Sequence, residues 1–367
     1  MSSPNNLKKI KSDYFLQKIF DMMNLQKKLK IIKINKNIQK RTNININDYK
    51  KYSEIYSSKE IEIIINNIID KEYFIRFKEE NKKFFHIYFN DSGEEEKKNY
   101  LVHKESNKKI KIIIDHQFKS FRGLFYNCDN IDSINFKKFY RNNITCMSGM
   151  FFNCYSLKEI KFQNFNTKSV INMAYMFYNC LSLEILDLSD LYTNKVTDMN
   201  NMFNGCKSLK ELNISKFNTN NVISMKSMFE NCNSLKKFDI SNFNTKNVID
   251  MGNMFSKCSS LEEINIYYFN TNNVNNMYHM FYGCSLLKQL NVSSFNIEKT
   301  VDMHGMFGFC SSLKKIELFD IKIKNIEHMR GMFYECPEEL KNKIRILLKN
   351  KFKINNANYC NSIFMDE

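Results

Sequence analysis

Eleven cysteines and six histidines are the residues of this 367-residue chain best equipped to bind a metal, close a disulfide or pair as nucleophile and base. Nine of the cysteines, Cys128, Cys154, Cys180, Cys206, Cys232, Cys258, Cys284, Cys310 and Cys336, recur at a step of 26 residues; Cys146 and Cys360 fall outside. No Cys-x-x-Cys pair occurs, and a step of 26 is not a zinc spacing. Stacked neighbours could approach disulfide distance, but each Cys closes an apolar stripe, and burial as a reduced thiol is expected. His86, His103, His116, His279, His304 and His328 pair with no nucleophile in a local motif. No phosphate-binding glycine loop occurs, and Glu262-Glu263 and Glu338-Glu339 read as solvated acids. No catalytic residue, cofactor or metal site is expected, and the chain reads as a non-enzyme.

The elements that carry these cysteines are repeats. Phe125, Phe151, Phe177, Phe203, Phe229, Phe255, Phe281, Phe307 and Phe333 keep the same step, and 16 of the 20 Met fall in two further columns, Met147 to Met329 and Met150 to Met332. On a helical wheel Val222, Met225, Met228, Phe229 and Cys232 lie within roughly 120°, which predicts a short amphipathic helix of about three turns. Asn218 or Thr219 would cap its start, and the Asn or Gly often found before Cys (Asn153, Asn179, Gly205, Asn231, Gly283) suits a left-handed end. Leu212 and Ile214, two apart, predict a strand with one buried face. Strand, turn, helix and turn in 26 residues make a leucine-rich-repeat-like α/β solenoid, with a parallel sheet on one side and helices on the other.

The unit Phe217–Asn242 resembles the BspA-type leucine-rich repeats, among them those once catalogued as a mycoplasma family of unknown function. The shared core is Val-x-x-Met-x-x-Met-Phe-x-x-Cys-x-x-Leu, here Val196-Met199-Met202-Phe203-Cys206-Leu209 and again Val248-Met251-Met254-Phe255-Cys258-Leu261. The resemblance implies a ligand-binding solenoid without enzymatic activity, often at a cell surface. The chain departs from it in having no Trp and no visible export signal.

The ends differ from the repeats. Residues 1–50 hold 12 Lys/Arg against 3 Asp/Glu, and 1–49 read as a basic helical region with helices near Tyr14–Met23 and Gln26–Gln39. That region resembles a degenerate F-box, which would dock a ubiquitin-ligase linker protein through Phe15, Leu16 and Ile19; plain helical packing explains the same pattern. Residues 50–108 read as a small α/β region and amino-terminal cap, 109–336 as the solenoid, and 337–367 as a helical cap. In that cap Leu340, Ile344, Leu347, Leu348 and Phe352 share one side of a helix. A chain beginning near Ile110 is therefore expected to fold alone.

Function should lie where the repeats disagree. The outward strand positions vary most: Glu211 and Asn213; Lys237 and Asp239; Glu263, Asn265 and Tyr267; Gln289 and Asn291; also Lys315, Glu317 and Phe319. They point to a protein partner bound on the exposed sheet face. The alternative is an F-box-like adaptor whose solenoid selects a ubiquitin-ligase target. A net charge of +16 raises nucleic-acid binding, which the mixed signs of this face disfavour. Without an export signal or an 18-residue apolar run, a soluble cytoplasmic protein with no membrane contact is expected.

Overall fold

The computed structural model describes residues 10–23, 28, 31, 36–42, 59–65, 71–102, 108–137, 139, 143–320, 328–352 and 362–364. Its elements are α1 (Asp13–Met22), α2 (Lys36–Arg41), β1 (Lys59–Ile65), β2 (Glu72–Tyr73), β3 (Phe85–Phe89), β4 (Tyr100–Leu101) and β5 (Lys108–Ile114). Then follow β6 (Ile131–Lys137), β7 (Glu159–Phe162), β8 (Ile185–Asp187), β9 (Glu211–Asn213), β10 (Gln289–Asn291), β11 (Lys315–Glu317) and α3 (Glu338–Phe352). The fold is a repeat fold with both strands and helices, but the helices sit at its ends.

The helix expected in each repeat does not form. Val222–Cys232 is a run of tight turns in which Met228, Glu230 and Cys232 donate N–H bonds to the carbonyls of Met225, Ser227 and Phe229. The amides between them turn outward: Met225, Ser227, Phe229 and Asn231 donate to Asp250, Gly252, Met254 and Ser256 of the next repeat at 2.8–3.0 Å. Two positions per repeat are left-handed, one being the residue before Cys (Asn231, φ 59°), as the sequence suggested, and the other four residues earlier (Ser227, φ 54°). That second left-handed residue breaks any helix, and its column often carries Gly or Asn (Gly149, Asn201, Asn253, Gly305, Gly331). The turns advance the chain so that the apolar side chains still share one face. A helix would close its bonds internally; here about half of them join one coil to the next, so no coil completes its bonding alone.

Core side chains repeat the ladder. The nine Phe rings stack with centroids 5.2–5.9 Å apart, and the Phe, Met and Cys columns of the repeats are buried. Thr219 does not cap a helix. Its buried hydroxyl donates to the Asn244 carbonyl at 3.0 Å and accepts the Asn244 N–H at 2.7 Å. Thr167, Thr193, Thr245 and Thr271 do the same to their following repeats. A buried polar group is affordable only when so paired.

Opposite the turns, the strands are shorter than expected. Parallel pairs β6/β7, β8/β9 and β10/β11 keep the 26-residue register, for example Leu186 opposite Leu212. Residues 237–240 and 263–266 form no strand, so the sheet is interrupted between β9 and β10. The break coincides with Phe238, which stands where β8 and β9 carry Leu186 and Leu212, and whose ring reaches 4.8 Å from that of Phe229.

The amino-terminal cap is mostly strand, with one 3₁₀ turn over Glu79–Phe84, and it is continuous with the repeats. One five-stranded sheet runs β3-β5-β1-β6-β7. β1 pairs antiparallel with both β5 and β6, and its Ile61, Ile63 and Ile65 are buried. A boundary at residue 109 therefore cuts through this sheet, and β1, not β5, lies against the first repeat strand. At the other end α3 buries Leu340, Ile344 and Leu348, whereas Leu347 is 47% exposed and leaves the expected stripe. The segment Ser362–Phe364 also packs here: Ser362 and Ile363 accept N–H bonds from Gly331 and Phe333. α1 and α2 hold a separate apolar cluster of Leu16, Phe20 and Ile38, tied by an Arg41–Asp13 ion pair at 2.6 Å. Most of the helix expected over Gln26–Gln39 lies outside the described residues.

Candidate functional site

The cysteine column is the natural place to look for chemistry, and its geometry gives structure instead. Cys128 to Cys336 at the repeat step are buried free thiols. From Cys154 onward each Sγ–H donates to the carbonyl of the Phe 29 residues before it, as Cys232 does to Phe203 at 3.2 Å. Burial pushes Cys128, Cys206, Cys258 and Cys336 up to about 12, and the other column thiols also upward. A thiol held protonated is a poor nucleophile and metal ligand. Among the described residues no group of three or more His, Cys, Asp or Glu is placed to hold a metal ion.

These shifts set an expected pH response. A thiol with the ordinary value of 9.0 ionises in the unfolded chain well before its folded counterpart near 12. The unfolded state therefore sheds protons first as pH rises. This contribution is whole below about pH 9 and is lost between about 9 and 12, at about 1.4 kcal/mol per pH unit per thiol. Denaturant melts at pH 7.5 and 10.5 should show a steep alkaline loss. Cys206→Ala and Cys258→Ala should each flatten that slope by about one proton; an unchanged slope would contradict the assignment.

The outward strand positions form a surface. Lys237, Asp239, Glu263, Asn265, Gln289 and Asn291 line one open groove of about 660 Å³, floored by Phe238, Ile264 and Leu290 and lined also by Lys315 and Glu317. The groove lies over the interruption in the sheet. Lys237 and Glu263 approach to 4.0 Å across it. Asp239 is held below the usual carboxylate range by hydrogen bonds from the Ser241 hydroxyl and N–H. Tyr267 is 51% exposed beside it and meets the Tyr268 ring edge-on at 5.4 Å. Glu211 and Asn213 are exposed on β9, outside the groove. Phe319, read as outward, is buried at the stack's end beside α3.

At the amino end Phe15 is exposed, Ile19 half-buried and Leu16 wholly buried. Leu16 therefore packs α1 onto α2 and is not presented to a docking partner. Residue spacing alone did not reveal the aromatic cluster on the turn side. His279 lies between Tyr278 (3.8 Å) and Tyr282 (4.2 Å), with Phe309 and Tyr334 beyond. Burial lowers the His279 pKa. The signal was available, since Tyr278, His279 and Tyr282 replace the Lys226, Ser227 and Glu230 of an earlier repeat.

Compared with known proteins, the sequence matches the family described as "Mycoplasma protein of unknown function, DUF285" over residues 119–237, 185–265 and 259–366. Among solved structures, a leucine-rich repeat protein of T. pallidum is 20% identical, covering 48% of this chain and 77% of its own, with a TM-score of 0.31. A leucine-rich repeat protein of Bacteroides ovatus is 16% identical, covering 69% and 76%, with a TM-score of 0.23. No curated protein matched. Among the described residues no helix is long and apolar enough to cross a membrane.

Proposed function

The chain belongs to the DUF285 family, and we propose that it is a non-enzymatic protein-binding scaffold, a solenoid of leucine-rich-repeat type. The observation that carries this reading is the groove over residues 237–317, where charged and amide side chains surround the apolar floor of Phe238, Ile264 and Leu290. An apolar patch rimmed by polar groups is the usual anatomy of a protein interface. The stack beneath is fixed by its cross-coil hydrogen bonds, so a partner meets a surface that needs little ordering on binding. Reduced, buried thiols suit a location inside the cell.

A second reading rests on α1. Tyr14 and Phe15 are 65% and 63% exposed and meet edge-on at 5.8 Å, on a helical cluster with its own small core. That exposed pair suits a docking role for the amino end, as in an adaptor that recruits a ubiquitin-ligase linker protein while the repeats hold a target. Affinity purification separates the two surfaces. The variant Lys237→Glu, Asp239→Lys, Glu263→Lys should melt like wild type, because surface substitutions usually move stability by less than about 0.5 kcal/mol. It should also lose at least about tenfold in partner recovery, as expected when charges opposing a partner are reversed. Tyr14→Ala with Phe15→Ala should spare that partner and lose only a linker. Undiminished recovery by the charge-reversed variant would move the binding surface elsewhere.

A further inference from the structure

We propose that the carboxyl end of the repeat stack is a peptide-binding site, filled within one molecule by Ser362–Phe364 and able to take the same segment from a second copy of the chain. Each interior coil offers outward amides to the next coil; Met303, Gly305, Phe307 and Phe309 donate to His328, Arg330, Met332 and Tyr334. The last coil repeats the offer, and among the described residues no acceptor stands 25 residues on. Gly331 and Phe333 donate instead to Ser362 and Ile363, at 2.8 and 3.2 Å. The ring of Phe364 lies 5.9 Å from that of Phe333 and extends the Phe ladder by one. Ile363 and Phe364 are 2% and 1% exposed. Ser362-Ile363-Phe364 also matches Ser227-Met228-Phe229 of a true repeat in kind and order.

The imitation stops after this rung. In interior rungs successive acceptors are two residues apart, but Ser362 and Ile363 are adjacent in a helical turn. Among the described residues the segment accepts the stack's bonds without repeating the spacing that would offer a further rung, which is what a terminator of a repeat array must do. Arg345 on α3 adds a clamp, its guanidinium 4.7 Å over the Phe364 ring and anchored to Glu338 at 2.6 Å. The sequence joining Phe352 to Ser362 is nine residues. The site recognises backbone acceptors and one aromatic ring, so an identical tail from another copy meets the same donors, as in strand addition to an open edge.

The full chain tests this. A fluorescent peptide of residues 355–367 is titrated against wild type and against the full-length variant Ile363→Asp, Phe364→Asp, whose own tail can no longer seat. The peptide should bind the variant and be excluded from wild type by at least about tenfold, since the tethered tail competes at high effective concentration. A Phe364→Ala peptide should bind the variant at least about tenfold more weakly, as for a lost aromatic anchor. The milder variant Phe364→Leu, with hydrogen exchange read at the Gly331 and Phe333 amides, covers the event that the double variant does not fold. Those amides should exchange faster than in wild type and regain protection when peptide is added. Equal binding to both proteins, binding to neither, or no change in protection would overturn the proposal.

Discussion

Replacing Phe229 by alanine is expected to cost about 3–5 kcal/mol of folding stability, the usual range for a fully buried aromatic truncated in a packed core. The ring is 0% exposed and lies between Phe203 at 5.5 Å and Phe255 at 5.6 Å, with Phe238 against it at 4.8 Å. Its backbone N–H also bonds Met254, and its carbonyl accepts both the Cys232 N–H and the Cys258 thiol. A shift of ring and backbone here therefore disturbs three successive coils, the preceding one through the Phe203 ring and the following one through Met254 and Cys258. The damage should spread, because stability in such arrays passes between neighbours. Denaturant melts with hydrogen exchange across residues 199–284 would check both points. A loss below about 1 kcal/mol, at the level of ordinary surface changes, would mean that the Phe ladder is not the core.

The second large effect is at the other end. A chain beginning at Ile110 is expected to lose its cooperatively folded monomer, contrary to what the repeat pattern alone suggests. It would lack β1, whose Ile61 pairs with Ile112 on one side and Phe136 on the other, and whose Ile63 pairs with Ile110 and Ile134. Without β1, β5 loses its hydrogen-bonded link to β6, and β6 presents a bare edge and apolar face, a template for aggregation. A chain beginning just before Lys59 keeps the strand and should remain monomeric and melt as wild type does. Light scattering and denaturant melts of the two decide it. An Ile110 chain that stays monomeric with the wild-type midpoint would show that the repeats need no amino-terminal cap.

The period, the inward columns of Phe229 and its equivalents, and the reduced thiols follow from spacing and residue type, because a repeat that buries the same positions must use the same side chains. The backbone of the coil did not follow. Val222, Met225, Phe229 and Cys232 fit a helical stripe, yet a left-handed residue at Ser227 turns the segment into successive tight turns. A periodicity of about 3.6 reports which side chains share a face; it does not report where the amides go. The mixed Gly, Asn and Ser chemistry of that column was the local clue. β1 was visible as a strand in Glu60–Ile65, but its place between β5 and β6 is a long-range pairing that composition does not encode.

The groove proposed to hold a partner was legible in part. Lys237, Asp239, Glu263, Asn265, Gln289 and Asn291 were chosen because they vary between repeats, and they line one groove. The groove spans an interruption of the sheet beside Phe238 and continues over β10 and β11, and a strand pattern does not foretell that interruption. Phe15, Leu16 and Ile19 were grouped as one patch that both packs and docks; an apolar run does not declare which member faces its neighbour, and here Leu16 faces α2 while Phe15 faces outward.

A protein partner is proposed to sit on the strand side of the stack. Hydrogen exchange of the full chain, alone and with its purified partner, tests this most directly. Protection should rise in peptides covering residues 236–241, 262–268 and 288–293, and stay unchanged over the aromatic turn cluster of Tyr278, Tyr282 and Phe309. Protection confined to the turn cluster, with the groove exchanging as in the free chain, would contradict it.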